Sequence, residues 1–239
     1  MRNYRRDMVI LFILLLVVNV MNNGMSDPKT YFYNILIALP GIVIGLSFHE
    51  FGHAFVSDRL GDPTPRSQGR VTLNPAAHFD PFGFFALVFC GFGWGIPVQI
   101  DPRYYKKPRR DEFLVSVAGV IMNLLVALVF AFIVHIMYSK MSSAVLVQGS
   151  LMGTIFNILL QVVIVNIVLF AFNLFPVPPL DGFGIITQIF NLRTKSFYYK
   201  LYNSGYLILM LLLLFGVIDW ILNPIVNGLY GLLLKFVIL

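Results

Sequence analysis

His49, Glu50 and His53 occupy an HExxH spacing set into a long apolar stretch. On a helix, at about 100° per residue, the two histidines lie about 40° apart on one face and one turn from each other. Their imidazoles can converge on a single Zn²⁺, and Glu50 then sits close enough to take a proton from an activated water. The spacing alone fixes only three positions, and its setting makes it specific. Glu50 is one of two glutamates in the chain and follows the run LIALPGIVIGLSF and His49 directly. An ionisable side chain inside a membrane span is costly and by default functional. The plainer alternative is a hydrogen-bonded helix end at the interface, since Asp58 and Arg59 follow closely.

The elements that must position this group belong to a bilayer. The chain has 239 residues, of which 12% are charged and 58% apolar, with a mean hydropathy of +0.82. A soluble domain carries roughly 25% charged residues, so a soluble enzyme, a disordered chain and a collagen-like one are excluded. The net charge of +6 reads as basic cytoplasmic loops rather than a nucleic-acid surface. A single cysteine, Cys90, excludes an intramolecular disulfide. With Glu50 and the histidines of the second window set aside, charge-free windows run over Met8–Ser26, Thr30–Ser57, Pro81–Ile100, Phe113–Ser139, Met141–Leu180, Leu201–Ile218 and Trp220–Leu234. The first has a dense apolar core at 9–21 and no small-residue cleavage pattern after it, so a retained anchor helix over 8–26 is expected. The window from Met141 exceeds one helix; its 150–172 part suits a crossing that Pro176, Pro178 and Pro179 terminate.

Basic residues orient these spans. Arg2, Arg5 and Arg6, then Arg59, Arg66 and Arg70, the five from Arg103 to Arg110, and Arg193, Lys195 and Lys200 all fall on one side if Pro81–Ile100 does not cross. Lys235 joins them, and only Lys29 and Lys140 face the other side. The positive-inside rule prefers this arrangement, with the N-terminus cytoplasmic. Gly83, Gly91, Gly93, Gly95 and Pro97 interrupt the window, as in a membrane-embedded hairpin or re-entrant segment. The expected fold is an all-α polytopic membrane protein: about six transmembrane helices, with a small membrane-embedded hairpin or β element between the HExxH helix and the next span. One domain over 1–239 fits, with a core at 31–192 and C-terminal helices at 201–239.

Zinc hydrolase sites usually have three protein ligands and one open position. His135 and Asp219 fall toward the opposite side. Asp181 emerges just after the 150–172 span, on the side where the HExxH helix ends, and is the expected third ligand. His78 is the runner-up. Asn123 and Asn166 read as interhelical polar contacts.

The motifs FHEFGH at 48–53 and NLFPVPPLDG at 173–182 together resemble the site-2 protease family of intramembrane zinc metalloproteases. The likeness extends to GRVTLNPAAHFDPFG at 69–83, GWGIPV at 93–98 and AGVIMN at 118–123, and covers roughly 35–184 in the family's order. Val120 stands where the family's AGPxxN version has proline. The resemblance implies one Zn²⁺ on His49, His53 and Asp181, with Glu50 as acid/base and Asn173 stabilising bound substrate or the oxyanion. It implies a minimal form without PDZ or CBS-type domains, cleaving within or near the transmembrane helix of a membrane-anchored regulatory protein. Such a single-pass substrate is expected to be trimmed first by a site-1-type protease, in the cell membrane of a prokaryote. Pro97 and Val98, in IPVQI at 96–100, could present a strand edge to extended substrate. His78 is a candidate for the cavity lining or for turn capping, and Asn74 for the substrate cavity. The Arg103–Arg110 cluster is expected at lipid headgroups. The competing class is a membrane metal-binding or transport protein using the same His/Asp cluster.

Overall fold

The computed structural model describes residues 27–90, 95–141 and 150–238, together with Ile13 and Val17. The anchor helix expected over 8–26 therefore lies almost wholly outside the described residues, as does part of the glycine-rich hairpin.

The first helix, α1 (Pro28–Arg59), opens with Asp27 as N-cap, accepting from Thr30 N–H at 3.2 Å, and with Pro28 at a position where its missing N–H costs nothing. Its 32 residues give a rod of about 48 Å, longer than the roughly 30 Å hydrocarbon layer. His49 stands ten residues, about 15 Å of helix, before Arg59. The motif thus lies in the last third of a helix long and apolar enough to cross a membrane, and Arg59, Arg66 and Arg70 follow it.

Two further long helices, α4 (Pro108–Lys140) and α5 (Leu151–Asn173), pack against α1 and each other. In lipid the hydrophobic effect does not drive helices together, and small residues that admit close backbone approach do more. A Cβ at Gly41 would lie 3.0 Å from Gln161 O on α5, and one at Gly52 would lie 2.9 Å from Ala118 O on α4. These contacts register the HExxH face of α1 against its neighbours.

Between α1 and α4 the chain forms the short α2 (Thr64–Ser67), a 3₁₀ turn at Pro75–Ala77 and α3 (Pro81–Cys90). At ten residues, α3 spans only about 15 Å and is too short to cross. Residues 95–100 then run without regular secondary structure to Asp101. No strand forms among the described residues, so the expected β element is here a short helix followed by an irregular segment. A ladder needs a second strand, and this segment is held instead by side chains and by one loop carbonyl.

After α5 come α6 (Asp181–Phe190), α7 (Tyr198–Leu214) and α8 (Val217–Ile238). The last two are bent by 74° at Gly216, whose φ of +67° suits glycine. Among the described residues three helices are long and apolar enough to cross, or four if the bent pair is one span. Of the six expected spans, the anchor at 8–26 falls outside the described residues, and 201–218 and 220–234 form one bent pair rather than two separate spans. Core packing joins the end of α5 and the segment before α6 to the last two helices, with Ala171 and Leu180 against Leu209, Met210, Ile218 and Leu222.

Candidate metal centre and cavity

His49 and His53 project from α1 toward Asp181, the first residue of α6. Their Nε2 atoms are 3.0 Å apart, and Asp181 Oδ2 lies 3.2 Å from each. The other ring nitrogens settle the tautomers. Val115 O, 2.8 Å from His53 Nδ1, can only accept, so that nitrogen carries the proton. His49 Nδ1 lies 2.8 Å from Asn123 Oδ1, and the Asn123 amide is oriented by its Nδ2 donating to Gly45 O and Asn166 Oδ1. Both Nε2 atoms therefore turn lone pairs toward a carboxylate oxygen that has no hydrogen-bond partner of its own.

Three acceptors facing one another without a proton repel unless a cation lies among them. Ligand bonds of about 2.0–2.2 Å in a tetrahedral zinc site put neighbouring donors roughly 3.3 Å apart. The observed triangle is within a few tenths of an ångström of that, so the donor set fits zinc and leaves a fourth position open toward the cavity. Gly119 on α4 makes the room: a Cβ there would sit 2.3 Å from His53 Nε2 and 2.7 Å from His49 Cε1.

The cavity in front of this triangle is about 340 Å³ and is lined by His49, Glu50, His53, Pro97, Val98, Asn173 and Asp181, with Tyr206 and Leu209 from α7. Glu50 Oε2 accepts a hydrogen bond from Val98 N–H at 2.9 Å. Asn173 donates one amide hydrogen to Leu169 O at 3.0 Å, which leaves its second hydrogen for a ligand. Seven residues singled out in the sequence therefore meet around one cavity. His78 and Asn74 do not. His78 is buried, its Nε2 2.9 Å from Thr72 O, and it lines a separate void of about 20 Å³ with Ile42, Leu46 and Phe84. Asn74 caps the Pro75–Ala77 turn, accepting from Ala76 N–H at 3.1 Å. Both serve the loop; the His78 carbonyl accepts from Ile96 N–H at 2.9 Å.

The segment at 95–100 is fixed by residues that sequence reasoning left unassigned. Arg70, buried, donates to the carbonyls of Ala77, Ile96 and Pro97. Asp62, fully buried, accepts from Asp101 N–H at 2.8 Å, Thr64 N–H at 2.9 Å and Ser57 Oγ at 2.9 Å, and Ser57 is bonded to Tyr105. Burial works to raise the Asp62 carboxyl, but these donors prevail and hold it below the usual aspartate range. Burial pushes the Tyr105 phenol up to about 12. At the far end of α6, Arg109 donates to Gln188 O and Ile189 O, and Arg193 and Gln188 both bond the buried Glu112. The sequence signal for Gly119 and Asn123 was their four-residue spacing, which puts a gap and a hydrogen-bonding amide on one face of α4.

Apolar spanning helices around a buried His-His-Asp triangle, with a glutamate on the same cavity, define a membrane-embedded zinc hydrolase. The chain belongs to peptidase family M50, the site-2 proteases, whose family model matches residues 37–216, and it is a zinc metalloprotease. YwhC of Bacillus subtilis, whose name places it among the zinc metalloproteases, is 34% identical over 202 residues, covering 83% of this chain and 91% of the relative. Rip2 of Mycolicibacterium smegmatis, similarly named, is 27% identical over 194 residues (78% and 70%), and Rip2 of Mycobacterium tuberculosis H37Rv is 26% identical over 211 residues (82% and 77%). No solved structure matches the chain.

Proposed function

We propose that His49, His53 and Asp181 hold one Zn²⁺ and that the protein hydrolyses a peptide bond within or near the transmembrane helix of a membrane-anchored regulatory protein. The observation that carries this reading is the triangle of donors with Glu50 on the same cavity. When bound, the zinc supplies a Lewis acid that acidifies water and polarises a carbonyl. Glu50 takes the proton from the attacking water and returns it to the leaving nitrogen. Asn173 offers its free amide hydrogen to the developing oxyanion, an effect of order 10²–10³ where such a donor has been removed. A helical substrate must unwind before attack, and Pro97 and Val98 line the cavity that would receive the unwound segment, although the Ile96 N–H and C=O, the Pro97 C=O and the Val98 N–H are already bonded within the protein.

The basic residues support an arrangement with the N-terminus and the cavity opening on the cytoplasmic side of a prokaryotic cell membrane. The short α3 supports a re-entrant segment at 81–100. A single catalytic domain with its core at 31–192 fits, and prior trimming by a site-1-type protease fits the need for an accessible helix end. Replacing Glu50 with Gln tests the reading against metal transport. The variant, co-expressed with single-pass candidates, is expected to keep its zinc and lose cleavage; undiminished cleavage removes Glu50 from the mechanism. A transporter would instead keep moving zinc through the variant.

A further inference from the structure

We propose that Asn123 is the positioning residue of the metal centre, setting the tautomer and aim of His49 and thereby the affinity for zinc. This rests on His49 being a ligand, as argued above. The asymmetry between the two histidines carries the inference. His53 is oriented by the backbone carbonyl of Val115, which no side-chain replacement removes. His49 is oriented by a side chain, Asn123, at 2.8 Å, and nothing else is bonded to its Nδ1.

Asn123 is fully buried and lies where three helices meet. Its Nδ2 donates to Gly45 O on α1 at 3.0 Å and to Asn166 Oδ1 on α5 at 3.1 Å, and Asn166 in turn donates to Val162 O at 2.8 Å. Both amide hydrogens of Asn123 are thereby committed, so the Oδ1 cannot exchange places with the nitrogen without breaking both bonds. Holding three helices together needs only those donations. The acceptor toward His49 is an additional feature, and its chemistry is that of a group fixing Nδ1–H and raising the donor strength of Nε2. Asn166 stands one bond further back: it orients Asn123 and touches neither histidine. Gly45 admits Asn166, since a Cβ there would lie 3.1 Å from Asn166 Oδ1.

The test is zinc affinity by chelator competition on the purified full chain, with the Co²⁺ electronic spectrum as a second readout and melting of the zinc-free protein as the folding control. Asn123→Ala is expected to weaken zinc binding about 10–100-fold and to alter the Co²⁺ spectrum. Asn166→Ala is expected to weaken it less, at a comparable loss of melting temperature. Asn123→Asp loses both donations, to Gly45 O and Asn166 Oδ1, and is expected to melt lower, but it still presents an oxygen to Nδ1–H and is expected to hold zinc more tightly than Asn123→Ala. A merely structural role predicts equal effects from Asn123→Ala and Asn166→Ala, and that result overturns the proposal. So does Asn123→Asp binding as weakly as His49→Ala, which also decides the matter if Asn123→Ala does not fold. If His49→Ala itself leaves zinc affinity unchanged, the ligand assignment fails rather than the positioning.

Discussion

Gly119→Ala is the smallest change that reaches the metal centre without touching a donor. The added methyl would lie 2.3 Å from His53 Nε2 and 2.7 Å from both His49 Cε1 and His53 Cε1. Comfortable contact between non-bonded heavy atoms begins near 3.5 Å, so the rings or the helix must move by about 1 Å. The rings cannot simply swing aside, because each is tethered through Nδ1, to Asn123 and to Val115. The displacement must then come from the α1–α4 spacing, which Gly52 already sets at its minimum. A misplacement of 1 Å at a reacting centre costs roughly 10²-fold in rate, and zinc content should fall as the triangle opens. Zinc is measured by elemental analysis and cleavage by a co-expressed single-pass reporter. Gly228→Ala, where a Cβ meets nothing within 4 Å, is the silent control. A Gly119→Ala protein with wild-type zinc and wild-type cleavage would refute the packing argument and, with it, the assignment of this face of α4 to the site.

Other outcomes follow from the supports of the site. Asp62→Asn should lower stability by about 1–3 kcal/mol, since a buried carboxylate with several donors is replaced by an amide that cannot accept them all. Because the Asp62 carboxyl is held low in the folded protein, its contribution is present above the ordinary aspartate value of about 3.9 and is lost as pH falls through the folded value. Melting temperatures of wild type and Asp62→Asn should therefore converge below about pH 4; a gap that stays constant on acidification counts against the clamp. Glu112→Ala should cost about 1–3 kcal/mol, less than a fully buried pair because the Arg193 side chain is 48% exposed. It should also loosen zinc, since Glu112 holds the helix that begins at Asp181. Unaltered zinc affinity in a destabilised Glu112→Ala protein would confine its role to folding.

The chemistry was legible because charge is scarce. Glu50 stands out in an apolar run, and the distribution of basic residues brings Asp181 to the side where α1 ends. Helical spacing alone accounts for the convergence of His49 and His53. The supports were less legible, because they depend on contacts between distant segments. Asn123 reads as interhelical polar glue until its Oδ1 is seen on His49. His78 carries a metal-ligating side chain, and only the folding of α3 over it shows that it is buried against Ile42 and Phe84. In the window 81–100 the described helix is only ten residues long, and the segment after it is held by Arg70 and Asp62 rather than by a second strand, contacts that no local pattern announces. The C-terminal windows were read as two spans because composition does not register the turn at Gly216.

The donors of the triangle come from distant parts of the chain, two from α1 and one from the start of α6. During biosynthesis a chain that has emerged through α1, α4 and α5 possesses both imidazoles and Glu50 but lacks the carboxylate. Such a chain has at most a two-ligand grip on zinc and no closed cavity, since Tyr206 and Leu209 have yet to arrive. On the proposed ligand set, a three-donor grip on the metal therefore waits until the start of α6 has joined α1. The distance along the chain between His49 and Asp181 ties the complete donor set to the packing of α6 against α4.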